Sequence, residues 1–202
     1  MSSSGLAEPR SLPPGQRLEP VLRTVHYGSV PRIDLATWSL RIGGDTLDGE
    51  SLSLSWADLA SLPQTVVRAD HHCVSRYTTL DLSWPGVAAR TVIEMAPPAA
   101  GVEHVLVSAA RGYSTNIRLE DLASSRALLA THLDGVPLTP EHGWPVRLVL
   151  PHLYGWKGPT WGGAIAYQRY QGRGVGEQRG SHFTGAGGPG DGYRCRGQGG
   201  VG

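Results

Sequence analysis

The chain has 202 residues, with 18 Lys and Arg against 17 Asp and Glu and a net charge of +1 at neutral pH. That balance supplies no bulk basic field for nucleic acid, and no apolar run is long enough to be read as a membrane span. Hydrophobic residues make up 40%, enough for one core, and two cysteines, Cys73 and Cys195, set up no disulfide framework and no Cys-x-x-Cys redox pair.

Residues 1–20 are Ser, Pro, Gly and charge, which predicts a flexible lead-in. They contain no apolar stretch able to act as a signal peptide, so the protein is expected in the cytoplasm, where thiols stay reduced. The folded domain is expected over residues 21–167. Residues 35–42 alternate apolar and polar and are followed by Gly43-Gly44, which predicts a strand. Residues 52–56 predict a second short strand, after which Ser55 caps a small helix over 56–62 that Pro63 stops. Residues 65–69 predict a strand that delivers His71, His72 and Cys73 into a loop. A short helix is expected over 86–96, with Val87, Val92, Ile93 and Met95 inward and Pro97-Pro98 ending it. Residues 104–109 and 114–119 predict a strand pair turning at Arg111-Gly112. The Asp134-Gly135 dipeptide between two apolar runs carries a hairpin signal. Residues 145–150 predict an apolar strand with Arg147 inside it.

Strands are not regularly followed by long helices, so the fold class expected is a strand-rich, mixed α+β single domain. Residues 168–202 are rich in glycine and poor in apolar side chains. Such a stretch cannot bury enough surface to offset its ordering entropy, and a poorly ordered tail is expected there. Trp38, Trp84, Trp144, Trp156 and Trp161 each need an acceptor for the indole N–H if buried.

Cys73 points to a definite chemistry. It follows His71 and His72 and precedes Arg76, and cations at these positions draw a thiol toward thiolate, which is a nucleophile or a soft-metal ligand. The residues alone leave open a small buried hydrophobe at a strand end, and a histidine–cysteine hydrolase or zinc site. Adjacent ligands suit tetrahedral zinc badly, and no second ligand cluster follows at finger spacing.

Four segments, taken together, are more specific: 24–31 with His26-Tyr27, 71–76 with His-His-Cys-Val, 110–116 with Gly-Tyr-Ser-Thr-Asn, and 140–159 with His-Gly-Trp-Pro-Val-Arg-Leu and Tyr-Gly-Trp-Lys. With Trp84-Pro-Gly-Val87 they resemble the sulfite oxidase family of molybdopterin enzymes, in its small heme-free branch, over about residues 20–167. The resemblance implies the sulfite oxidase fold and a molybdenum–molybdopterin cofactor to which Cys73 gives a thiolate, a soft ligand beside other sulfurs. It implies cofactor binding by His26, Tyr27, His72, Ser108, His142, Arg147, Gly155, Trp156 and Lys157, with Arg147 offering a planar fork to the cofactor phosphate. Tyr113 corresponds to a tyrosine facing the metal, and Arg76 is placed to hold an anionic substrate; it alone represents the several arginines of sulfite-oxidising members. The activity implied is transfer of an oxygen atom to or from a small sulfite- or sulfoxide-type substrate. No heme-attachment or flavin motif is present, so electrons are expected to pass to or from a separate protein partner. The alternative is a family member that has lost the cofactor and acts as a binding or structural protein.

Overall fold

Ser55 sits where an apolar run needs a start signal. Its hydroxyl accepts from the Asp58 N–H while the Asp58 carboxylate accepts from the Ser55 N–H, a reciprocal capping box. The helix it opens, α1 (Trp56–Ser61), ends before Pro63 as expected and buries Leu59. The computed structural model describes residues 12–25, 28–172, 174 and 178. The expected sites His26 and Tyr27, the first 11 residues and most of the expected tail lie outside the described residues.

Two five-stranded sheets carry the architecture. The first holds β1 (Arg17–Leu18), β4 (Gln64–Cys73), β5 (Tyr77–Ala88), β8 (Leu128–Ala130) and β11 (Arg147–Val149). Here β5 is central: it pairs antiparallel with β4 and β8 and parallel with β1, and β11 adds to β8. The second runs β3–β2–β12–β6–β7, from β2 (Ser39–Gly44), β3 (Leu52–Ser55), β6 (His104–Ala109), β7 (Ser114–Arg118) and β12 (Gly162–Gln168). A small hairpin, β9 (His132–Leu133) and β10 (Val136–Pro137), turns at Asp134-Gly135 as its sequence predicts. Two short helices, α2 (Ala89–Met95) and α3 (Leu119–Leu122), follow β5 and β7. One apolar cluster joins Leu40, Ile42, Val87, Val92, Val105 and Ile165; a second joins Leu22, Ala69, Leu82, Trp84 and Leu128.

Several expectations need correction. His71, His72 and Cys73 are not in a loop. They end β4, opposite Thr79, Thr78 and Tyr77. The ladder slips between Ala69 and His71, where Asp81 takes φ 57° and its N–H donates to the Asp70 carboxylate. The two strands form a tight hairpin closed by residues 74–76, and the polar run 70–72 hides the alternation that would have announced it. Residues 86–88 belong to β5, so α2 starts at Ala89, and Met95 faces solvent, not the core. The lead-in expected to be flexible contains β1: Arg17 and Glu19 donate to the carbonyls of Arg76 and Thr78. The strand expected over 35–42 begins only at Ser39, because 34–37 form a turn bonded through Asp34. At the other end β12 runs one residue past the expected boundary at 167. Gly174 is buried against β7, where a Cβ would lie 2.6 Å from the Ser114 carbonyl oxygen.

Candidate active site

Cys73 closes β4 and is 6% exposed. The chain turns back at once: Arg76 donates its N–H to the Cys73 carbonyl at 3.0 Å, and the Ser75 N–H points at Sγ at 3.5 Å. The Gln16 amide also donates to the Cys73 carbonyl, tying β1 to the turn. Strand alternation puts residue 71 on the face of Cys73 and residue 72 on the other. His71 packs onto the backbone of Gly155, where any Cβ would overlap the imidazole. Burial first, then the charge of Arg147, holds the His71 pKa well below the usual histidine value, so the ring is neutral at pH 7. His72 faces a polar recess with Arg68, Asp70, Asp81 and Arg126, and its Nδ1 lies 2.9 Å from the Thr78 hydroxyl. Of the two histidines it is His71 that shares a pocket with Arg147, Trp84 and Gly155.

Arg147 is 7% exposed, and its guanidinium lies over the Trp84 ring, 5.5 Å from the centroid. Burial pushes its pKa down to about 10, against the opposing pull of Tyr77 and Cys73. Burial and the nearby thiol in turn raise the Tyr77 hydroxyl. Among the described residues Arg147 has no carboxylate partner and makes no hydrogen bond. The indole N–H groups of Trp84 and Trp156 are also buried and without an acceptor. Those of Trp38 and Trp161 meet the carbonyls of Gly162 at 3.2 Å and Pro140 at 2.6 Å. A buried cation without an anion, stacked on an indole whose N–H lacks an acceptor, calls for a ligand rich in acceptors.

The other expected residues make contacts within the chain or stand at its surface. Lys157 is 1% exposed, and its Nζ donates to the Asn116 carbonyl at 2.5 Å. Tyr113 donates its hydroxyl to the Trp156 carbonyl at 2.8 Å. His142 has both ring nitrogens engaged, Nε2 with the Leu22 carbonyl at 3.1 Å and Nδ1 with the Thr139 hydroxyl at 3.0 Å. It thereby ties the 140–143 turn to the segment leading to residues 26 and 27. Ser108 is half-buried on β6, opposite Ser114 and Ala164. Arg76, at φ 64°, is exposed, three residues from Cys73, and its guanidinium makes no bond among the described residues, to Asp70, Asp81 or any other. Sequence reasoning assigned cofactor binding to His72 in place of His71 and gave Trp84 and Tyr77 no role in the site. Alternation along β4 would have found His71 had the segment been read as a strand.

Gly155 carries a prediction. A methyl group there must displace the enclosed His71 ring or the loop itself, and overpacking of this kind costs about 1–3 kcal/mol. Gly155→Ala is therefore expected to lower the melting temperature by several degrees, read by thermal unfolding, and His71→Ala in the same chain is expected to restore part of the loss.

The profile described as "Oxidoreductase molybdopterin binding domain" matches residues 27–175. The uncharacterized oxidoreductase YuiH of Bacillus subtilis is 35% identical over 175 residues, covering 86% of this chain and 87% of that protein. Human mitochondrial sulfite oxidase is 25% identical over 177 residues, 74% of this chain but only 32% of that enzyme. The protein-methionine-sulfoxide reductase catalytic subunit MsrP of Xanthomonas axonopodis pv. citri is 27% identical over 142 residues, covering 62% of this chain and 43% of that protein. In structure the chain is similar to the sulfane dehydrogenase SoxCD of Paracoccus pantotrophus, with a TM-score of 0.68 at 19% identity, over 77% of this chain and 43% of that one. That likeness establishes the sulfite oxidase-type fold. The chain thus belongs to the oxidoreductase molybdopterin-binding family and is a molybdenum-cofactor enzyme of the sulfite oxidase-like kind.

Proposed function

We propose that this enzyme moves an oxygen atom to or from a small sulfite- or sulfoxide-type substrate, exchanging two electrons with a separate protein partner. The observation that carries the reading is a buried cation, Arg147, that has no anion among the described residues and shares its pocket with His71, two residues before Cys73 on β4. The residues fit the cofactor: a soft thiol, an unneutralised guanidinium, two acceptor-less indole donors and a glycine where a side chain would close the pocket. When bound, the cofactor supplies a metal cycling between Mo(VI) and Mo(IV). Cys73 would hold that metal as thiolate, a state that coordination keeps deprotonated at neutral pH. Arg147 would face an anionic group of the cofactor with its planar fork. Arg76, exposed beside the thiol, would draw an anionic substrate toward it. Tyr113 and Lys157 would act through the loop they hold.

Among the described residues no helix is long and apolar enough to cross a membrane. A cytoplasmic setting is part of this proposal. Metal analysis of the purified protein tests the whole reading. About one molybdenum with one pterin per chain is expected; zinc in its place, or neither, rejects it.

A further inference from the structure

The loop 150–158 carries Gly155, Trp156 and Lys157 and is fastened at three polar points to one stretch of chain, residues 113–121. Lys157 reaches the Asn116 carbonyl, and Tyr113 reaches the Trp156 carbonyl. The third point lies at the loop's other end, where His152 Nε2 donates to Asp121 Oδ1 at 2.8 Å. Asp121 is 7% exposed, and Arg118 grips both its oxygens, at 3.0 and 3.1 Å. Burial alone would raise the Asp121 pKa, but the hydrogen bonds from His152 and Arg118 and the charge of Arg118 outweigh it and hold it below the usual carboxylate value. The carboxylate is therefore ionised in this contact, and the two bonds from Arg118 orient it toward His152. Leu153 is buried in the core beside this contact, which keeps the loop docked, but apolar burial has no direction. Direction comes from the three polar contacts.

We infer that Asp121 and His152 are a positioning pair that latches the cofactor-holding loop 150–158 in register with Cys73 and His71. The latch sets where Gly155 meets the His71 ring, and hence where the Trp156 and Lys157 backbone stands over the pocket. Neither residue touches the reacting atoms. The inference rests on the molybdopterin reading above, and its test separates the two.

The full-length protein is purified with whatever cofactor it carries, as wild type, His152→Ala, His152→Gln and, as a destabilised control, Leu59→Ala in α1. Release of pterin is followed through its fluorescent oxidation product, and melting temperature is measured beside it. His152→Ala is expected to release pterin about tenfold faster, the scale of one hydrogen bond to a charged group. His152→Gln, whose amide can still donate to Asp121, is expected to fall near wild type. Leu59→Ala is expected to melt earlier without faster release. Equal release from wild type and His152→Ala, or release that follows melting temperature across all four proteins, overturns the latch. Wild type lacking pterin and molybdenum overturns the functional reading instead. In that event amide hydrogen exchange decides the latch: faster exchange at 153–157 in His152→Ala upholds it, and unchanged exchange removes it.

Discussion

Cys73→Ser is expected to lose all turnover above the background of the electron mediator while keeping its fold. The thiol is buried, and an oxygen in place of sulfur changes the volume by little, so the melting temperature should stay within a few degrees of wild type. The chemistry changes far more. A serine hydroxyl is a hard donor that stays protonated at neutral pH, where a thiolate is a soft anion suited to a metal already held by sulfur. Cys73 is also the only cysteine among the described residues, so no neighbouring thiol there can substitute. The assay uses purified protein, an artificial mediator, and a panel of sulfite and sulfoxides including methionine sulfoxide. Activity near wild type in the serine variant would remove Cys73 as the metal ligand.

How much of this was legible beforehand depends on how local each signal is. The Ser55 capping box, the Asp134-Gly135 hairpin and the β6–β7 turn at Arg111-Gly112 are short-range chemistry, and the structure reproduces them. The centre of each sheet was less legible. In β5, Thr78, Thr79, Ser83 and Pro85 interrupt the apolar run, and two of its three partners, β8 and β1, lie far along the chain. In β12, glycine and alanine replace the branched residues that mark a strand, because it threads between β2 and β6. The site shows the same division. Cys73, Arg147 and Gly155 stand out as residue types in context, and the structure brings Arg147 and Gly155 to one pocket lined by β4, two residues short of Cys73. Which histidine shares their pocket follows only from the pleat of β4, and the use of Tyr113 and Lys157 as loop anchors follows only from the packing of the 150–158 loop on β7.

Arg147→Met is expected to move apoprotein stability and cofactor affinity in opposite directions. In the apoprotein the guanidinium is buried without an anion, and the fall of its pKa to about 10 corresponds to roughly 3 kcal/mol of burial cost. Contact with the Trp84 face returns about 1–2 kcal/mol of this. Methionine fills similar space with no charge, so the variant apoprotein should be as stable as wild type or more so by about 1–2 kcal/mol, as when buried ionic groups give way to apolar ones. The sign with pH is set by the same shift. The folded chain binds the proton less well than the unfolded one, so the cost is present in full below pH 10. It fades as pH rises from there toward the ordinary arginine value, and wild-type stability gains a term over that window which the variant lacks. With cofactor the order reverses, because loss of a charge-assisted, bidentate partner for a buried anion costs about 1.5–3 kcal/mol, at least a tenfold fall in affinity. Thermal unfolding of apoprotein and the pterin-to-protein ratio of the purified variant give the two readings. A less stable apoprotein with an unchanged pterin ratio would make Arg147 a structural residue, and the anion that its burial calls for would have to be sought elsewhere.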